Sequence, residues 1–278
     1  MGVSILILTL NEEISLPNCL KSSAWSDDIV VFDSFSSDCT VDIARDFGAR
    51  VYQRTFDNYS AHREAAHKMV SFKYPWVFSV DADERFTPEL ATEVNETIAT
   101  CSDETSLFLV NRRDYLLGRW IRHSSCYPIW FERLFRPERV SMTDRIVNEH
   151  MVAEGRIARL KNPLIHYPFD KGVSHWIARH NRYSSMEAHE YLKQMDIGSL
   201  EWRALFCADP ISRRLAIKNI SCRLPFRPGL KFLYLYLYRR GIMDGASGFA
   251  YCMLQAIYEY MIELKVRELQ RIQKGLSL

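Results

Sequence analysis

The chain has 278 residues, of which 47% are hydrophobic and 25% charged, and its formal net charge is +2. This length suits one large domain or two small ones, and the composition excludes a disordered chain and a fibrous repeat. A net charge so close to zero steers the protein toward no particular partner, although an aromatic content of 13% indicates binding surfaces in addition to a core.

Patterns along the first 110 residues alternate between strand and helix. Apolar runs predict strands at 3–9, 29–32, 50–53 and 76–80, and helical spacing predicts helices at 14–24, 40–47, 59–72 and 88–100. Because the runs are continuous, both faces of each strand are covered, as in a parallel sheet wrapped by helices. Ligands of such sheets bind outside the carboxyl ends of the strands.

The middle of the chain has shorter strand patterns, which predict a mixed-sheet extension of the first half. These strands are expected at 107–111, 130–135 and 157–165. Beyond residue 166 the pattern turns helical and aromatic. We therefore expect a first domain at 1–166 and a helical region at 167–278.

Two carboxylates, Asp81 and Asp83, directly follow the predicted strand at 76–80. Oxygen ligands in this position suit a hard divalent cation that also binds phosphate oxygens, although a solvated turn would give the same D-x-D pattern. Asp33 ends the strand at 29–32 in the same way, so three acids are expected at one sheet edge. Carboxylates placed close together repel one another, which destabilises the fold unless a bound cation or ligand compensates their charge.

Glycine-rich phosphate loops are absent from this sequence. The loop after the first strand, at 9–13, contains no glycine, and no P-loop motif occurs anywhere in the chain. Hydride transfer and P-loop chemistry are therefore disfavoured, and nucleotide binding has to depend on side chains and a metal. Arg63 is a candidate for a diphosphate contact. The alternative is that Arg63 lies on a solvated face of its helix.

Three motifs together resemble the family-2 glycosyltransferases with the GT-A fold. They are TLNEE at 9–13, VVFDSFSSDCT at 30–40 and VFSVDADERFTPEL at 77–90. The resemblance implies an α/β, Rossmann-like nucleotide-diphospho-sugar transferase domain, a UDP-sugar donor and a Mg²⁺ or Mn²⁺ ion. It also implies roles for individual residues: Thr9, Asn11 and Glu12 line the nucleotide pocket, Asp33 meets the base, Arg63 the diphosphate, and Asp81 and Asp83 the ribose and metal.

Downstream motifs are similar to those of bacterial enzymes that glycosylate the lipopolysaccharide core, the β-1,4-glucosyltransferases among them. They are FERLFRPERV at 131–140, DRIVNEH at 144–150 and LIHY at 164–167. This likeness implies inverting transfer of a sugar, with glucose favoured, to a lipopolysaccharide core or lipid-linked glycan. It also favours Glu149 as the catalytic base, where spacing alone would equally suit a surface residue. His166 is a further candidate metal ligand, against a structural histidine.

Positive charge is concentrated near the carboxyl end of the chain. Eight Lys and Arg residues and no Asp or Glu occur at 213–240, interleaved with aromatic residues. This combination predicts attachment to an anionic membrane surface, where each basic residue contributes about 1 kcal/mol. Packing as core or against a second copy of the chain stays open, and binding of nucleic acid is disfavoured because no module fingerprint is present.

Location in the cell is inferred from two absences. The seven cysteines form no C-x-x-C pair, and residues 1–10 resemble a strand rather than a signal peptide. We therefore expect a cytoplasmic protein on the inner face of the membrane. Two other functions stay open: a metal-dependent phosphohydrolase using Asp81 and Asp83, and a non-catalytic lipid-binding module.

Overall fold

The computed structural model describes residues 2–142, 150–197 and 226–277. The chain divides into two compact units: unit 1 comprises Met1–Tyr115 and Tyr127–Lys171, and unit 2 comprises Leu116–Cys126 and Gly172–Leu278.

The strands are short in most cases and lie mainly in unit 1. They are β1 (Val3–Thr9), β2 (Ile29–Asp33), β3 (Arg50–Gln53), β4 (Trp76–Asp81), β5 (Glu84–Arg85), β6 (Thr105–Leu116), β7 (Arg119–Trp120), β8 (Trp130–Phe135), β9 (Val140–Met142), β10 (Met151–Ala153), β11 (Arg156–Arg159) and β12 (Leu164–His166). The helices of the described ranges are α1 (Leu16–Ser23), α2 (Thr40–Asp46), α3 (Tyr59–Met69), α4 (Pro88–Thr100), α5 (Gly172–Ile197), α6 (Arg227–Leu233) and α7 (Gly245–Gln273).

Eight strands of unit 1 follow one another in the order β3-β2-β1-β4-β8-β6-β12-β5. The first four are mutually parallel, and β8 is antiparallel to both of its neighbours. Both β11 and β12 pair in parallel with β6. The predicted parallel sheet and its mixed extension are therefore confirmed.

Alternate residues of β1 pack on opposite faces of the sheet. Ile5 and Ile7 belong to a cluster that includes Leu20 of α1 and Leu90 of α4, whereas Leu6 belongs to a second cluster that includes Ala66 of α3. All of these residues are inaccessible to solvent. Helices thus cover both faces, which is why the strand sequences are continuously apolar.

The single strand predicted at 157–165 is wrong, because the chain forms β11 and β12 with a break between them. Pro163 lies in the break and has no N–H to donate to a ladder. The Glu93 carboxylate accepts hydrogen bonds from the backbone N–H groups of Lys161 (2.7 Å) and Asn162 (2.8 Å), so the break is itself stabilised. β6 in turn is longer than the predicted 107–111, because its polar second half still pairs with β12.

Unit 2 is helical, as expected for the end of the chain. A π-helical segment, Tyr234–Tyr238, and a 3₁₀ turn, Gly241–Asp244, connect α6 to α7. The buried Asp244 carboxylate accepts from the backbone N–H groups of His123 (2.9 Å) and Ser124 (2.8 Å) and from the Ser124 hydroxyl (2.7 Å). These bonds hold segment 116–126 within unit 2. Among the described helices, none combines the length and the apolar character needed to span a bilayer.

Candidate active site

Strand register brings the predicted acids to one edge of the sheet. Thr9 pairs with Asp33 across β1 and β2, and Leu8 pairs with Asp81 across β1 and β4. Since neighbouring strands are about 4.8 Å apart, Asp33 and Asp81 lie roughly 10 Å apart along the row of strand ends.

Asp33 is fully buried and organises the loop that follows it. Its carboxylate accepts hydrogen bonds from the Thr9 hydroxyl (2.8 Å), the backbone N–H of Ser36 (2.8 Å), the Ser36 hydroxyl (2.5 Å) and the Gln53 amide (3.1 Å). Four donors are about what a carboxylate can accept. In this structure Asp33 and Thr9 therefore stabilise the loop at the sheet edge, and their contact with a nucleobase stays a prediction.

Hydrogen bonds and an ion pair hold the loop after β1 against the loop after β2 and against Lys171. Asn11 has a φ of 56°, in the left-handed region, and its side-chain oxygen accepts from the backbone N–H of Ser37 (2.8 Å). The Glu12 carboxylate pairs with the Lys171 ammonium at 2.5 Å, and Lys171 also donates to the Asn11 carbonyl (2.7 Å). Asn11 and Glu12 are thus placed at the predicted edge, with Lys171 as an unforeseen partner.

Asp81 lies between two arginines. One of its oxygens pairs with Arg63 at 3.0 Å and the other with Arg133 at 2.8 Å. Burial alone would raise the pKa of Asp81, but the Arg133 and Arg63 charges outweigh it and hold the pKa well below its usual range. Arg63 is therefore at the predicted site, where it neutralises Asp81.

Beyond Asp81 the ion pairs continue through the fully buried Glu84. Its carboxylate pairs with Arg133 at 2.6 Å and with Arg112 at 3.3 Å, and it accepts from the Asp81 backbone N–H (3.1 Å). Arg112 also pairs with Asp114 at 3.1 Å. Charges that would be costly to bury singly are thus compensated by neighbours of opposite sign.

The chain of ion pairs ends at His166. Its Nδ1 lies 2.7 Å from an Asp114 oxygen, and its Nε2 lies 3.3 Å from an Asp83 oxygen. Burial and the Arg112 charge lower the pKa of His166, but Asp83 and Asp114 outweigh them and raise it to about 9. Asp83 and His166, predicted separately from the sequence, are therefore brought together.

The structure tests the fit of a divalent cation at this pair. Within the described ranges, no group of three His, Cys, Asp or Glu side chains is arranged to hold a metal. Asp83 and His166 supply one oxygen and one nitrogen donor, which fits an ion that keeps waters and takes phosphate oxygens as further ligands. Asp81, also predicted as a ligand, has both oxygens paired with arginines, and its role as a ligand stays a prediction.

Glu149, the predicted base, lies outside the described residues. Four residues of the ion-pair network were missed at the sequence level: Glu84, Arg112, Asp114 and Arg133. Their signal was present in the sequence, because Arg133 interrupts an apolar strand and Arg112 and Asp114 are two apart, on one face of a strand. Charges on strands that must be buried indicate paired partners.

A parallel sheet that ends in a carboxylate-rich edge, extended by a mixed sheet that carries the histidine, forms an α/β GT-A fold. Residues 4–153 match the family model described as Glycosyl transferase family 2. The chain belongs to this family. The assignment decides between the three functions that the sequence left open, in favour of the glycosyltransferase.

Two curated relatives and one solved structure extend over nearly the whole chain. The lipopolysaccharide core biosynthesis glycosyltransferase LpsC of Rhizobium meliloti (strain 1021) is 28% identical over 275 residues, which are 96% of this chain and 92% of LpsC. An uncharacterized glycosyltransferase of Rickettsia bellii (strain RML369-C) is 24% identical over 278 residues, 96% and 86% of the two chains. The mannosyltransferase PcManGT from Pyrobaculum calidifontis, solved with GDP-Man and Mn²⁺, has a TM-score of 0.51 at 13% identity and covers 95% of this chain and 86% of its own. This similarity supports the fold.

Proposed function

We propose that this glycosyltransferase transfers a sugar, with glucose favoured, from a UDP-sugar to a lipopolysaccharide core or lipid-linked envelope glycan, with inversion and with Mg²⁺ or Mn²⁺ as cofactor. The acceptor class is supported by the full-length similarity to LpsC, whose name assigns it to lipopolysaccharide core biosynthesis. The ligand classes are supported by PcManGT, which binds a nucleotide sugar and a divalent cation on the same fold.

Inverting transfer requires an acceptor hydroxyl to attack the anomeric carbon while the bond from that carbon to the diphosphate oxygen breaks. Glu149 would take the proton of the hydroxyl as general base. A cation held by Asp83 and His166 would supply positive charge for the departing diphosphate. Arg63, close to the same edge through its contact with Asp81, would add a second positive charge there.

The observation that carries this proposal is the approach of Asp83 to His166, 3.3 Å apart at the carboxyl edge of the sheet. We expect Asp83→Ala to abolish sugar transfer without unfolding the protein, because it removes a cation ligand and no core packing. Transfer of labelled glucose from UDP-glucose to an acceptor glycolipid measures the loss, and circular dichroism checks the fold. The exposed Asp42→Ala serves as a matched control. Retained turnover in Asp83→Ala would contradict the metal assignment.

A second substitution tests the proposed base. We expect Glu149→Gln to keep the affinity for the UDP-sugar and to lose turnover by roughly 10²-fold or more, because glutamine cannot accept the acceptor proton. Calorimetric titration with UDP and steady-state kinetics separate these two effects. An unchanged kcat would show that another group acts as base.

The donor itself is identified by its effect on stability. A ligand that binds only the native state raises the free energy of unfolding by about 2.7 kcal/mol at a concentration 100 times its Kd. UDP-glucose, UDP-galactose and GDP-mannose are therefore compared by thermal unfolding, with and without Mn²⁺. A shift with GDP-mannose alone would contradict the uridine assignment.

We also propose that unit 2 contacts an anionic membrane surface on the cytoplasmic side. The proposal is supported by apolar and aromatic side chains that are individually exposed in and around the π-helical segment: Phe226, Leu233, Leu237, Tyr238 and Ile242. Lys231, Arg239 and Arg240 lie among them in the sequence. Arg227 is an exception to the predicted basic surface, because it is buried and pairs with Glu259 and Tyr191. The four basic residues at 213–223 lie outside the described residues.

A further inference from the structure

The metal pair of the proposed function has a third member, Asp114, on the far side of the imidazole. Asp114 Oδ1 lies 2.7 Å from His166 Nδ1, and His166 Nε2 lies 3.3 Å from Asp83 Oδ2. A carboxylate accepts hydrogen bonds, so Nδ1 carries a hydrogen and donates it to Asp114. Nε2 is then the ring atom that faces Asp83.

The backbone fixes this arrangement. β12 pairs in parallel with β6 so that His166 lies opposite Asp114, and it pairs antiparallel with β5 so that His166 lies opposite Glu84. Side chains directly opposite each other on neighbouring strands are about 5 Å apart at Cβ. The contact between Asp114 and His166 thus follows from the strand register and does not depend on the rotamer of an exposed side chain.

Asp114 is itself held in place. Arg112 Nε donates to the same Oδ1 atom at 3.1 Å, and the Arg112 guanidinium is anchored by Glu84 at 3.3 Å. The Asp114 and His166 side chains are each only 11% exposed, so water does not compete freely for either group. Asp114 is therefore a rigid acceptor of fixed orientation.

We propose that Asp114 is a positioning residue for the metal site: it fixes the ring orientation of His166 and the hydrogen on Nδ1, so that Nε2, on releasing its own hydrogen, faces a divalent cation beside Asp83. The inference rests on the metal site of the proposed function and adds to it the residue that organises it. Outer carboxylates of this kind orient metal-ligating histidines and raise their basicity, and their removal weakens metal binding roughly 10–100-fold.

Mn²⁺ binding to the full chain tests the inference without any measurement of activity. Free Mn²⁺ is measured by electron paramagnetic resonance during titration of the wild type and Asp114→Asn, which keeps an acceptor oxygen and removes the charge. We expect the Kd for Mn²⁺ to rise roughly 10–100-fold. Asp28→Asn is the matched control, because Asp28 is a buried carboxylate of the same unit that pairs with Arg50 and contacts neither Asp83 nor His166 in the interactions described. It should leave the Kd unchanged.

A double-mutant cycle separates positioning from a general structural effect. In a His166→Ala background, Asp114→Asn should cost no further affinity, because Asp114 acts only through the imidazole. Asp114→Ser, which withdraws the acceptor without adding bulk, gives a second variant should Asp114→Asn fail to fold, and it should weaken binding in the same way.

The outcomes distinguish the inference from the proposed function. Wild-type affinity in Asp114→Asn or Asp114→Ser, or an equal loss in the presence and absence of His166, overturns the positioning role while the metal site stands. A wild-type chain that binds no Mn²⁺, with or without UDP, overturns the metal site of the proposed function and the positioning role with it.

Discussion

Charged side chains at the sheet edge of unit 1 alternate in sign from Arg63 to Asp83. The sequence of pairs is Arg63, Asp81, Arg133, Glu84, Arg112, Asp114, His166 and Asp83. With His166 protonated, four positive charges balance four negative ones. Removing one member of the most deeply buried pair, Glu84 and Arg133, would leave its partner uncompensated, typically at about 3–5 kcal/mol. The network therefore holds both proposed ligand contacts, Arg63 and Asp83, on one rigid support.

His67 gives a prediction about pH. Its ring packs against Phe135 with centroids 4.7 Å apart, and burial lowers the pKa of His67 to about 4. In the unfolded chain His67 has an ordinary pKa of about 6.5, so between pH 6.5 and 4 it binds a proton in the unfolded chain but not in the folded one. The free energy of unfolding therefore falls as pH drops from 6.5 to 4. The slope attributable to one such proton is about 1.4 kcal/mol per pH unit.

We expect His67→Gln to reduce this slope without removing it, because His180 also has its pKa lowered to about 4 by burial. Urea unfolding between pH 4.5 and 7 measures the slope, with the exposed His189→Gln as control. Equal slopes for the wild type and His67→Gln would show that His67 takes up its proton in the folded state.

Helix α4 illustrates how a local signal determines an element. Thr87 and Pro88 predict its start, and in the structure the Thr87 hydroxyl accepts from the Leu90 backbone N–H at 3.1 Å, with Pro88 in the first turn. Leu90, Val94 and Ile98 then recur at steps of four and are buried. The cap at Thr87 and the apolar face that begins at Leu90 both predict a helix that starts at Pro88, and the structure has this start.

Removal of this cap has a defined cost. We expect Thr87→Ala to lower the free energy of unfolding by about 1 kcal/mol, because one amide at the helix start loses its acceptor. The exposed Thr92→Ala in the same helix should change it by less than about 0.5 kcal/mol. Chemical denaturation of both variants measures the difference. Similar losses in the two would contradict the capping role.

At the scale of the whole molecule, the two units differ in what they expose. In unit 1 helices cover the apolar strands, and the buried charged side chains at the sheet edge form ion pairs. Unit 2 exposes Tyr238 to 77% and Leu237 to 57%, beside Arg239 and Arg240. Large apolar side chains exposed together indicate an interaction surface, and the adjacent arginines favour an anionic one.

Vesicle binding tests this surface. We expect the full chain to sediment with vesicles containing phosphatidylglycerol and to be released as salt rises, because the attraction is partly electrostatic. Leu237→Glu should weaken binding, whereas Ile157→Glu, at an exposed apolar position of unit 1, should not. The proposed membrane surface would be contradicted if the chain bound neutral and anionic vesicles equally. It would also be contradicted if Leu237→Glu and Ile157→Glu had the same effect on binding.

The local sequence was sufficient to predict β1, β3 and the start of α4, the parallel sheet, and the arrival of Asp33 and Asp81 at one edge. Apolar period, caps and strand ends are properties of neighbouring residues, so they can be read without a fold. The pairing of Asp83 with His166 required β12 to lie beside β5 and β6, residues far apart in the chain. The same holds for Arg133, whose charge makes sense only next to Asp81 and Glu84. Electrostatic compensation acts through space, and only the tertiary structure decides which charges meet.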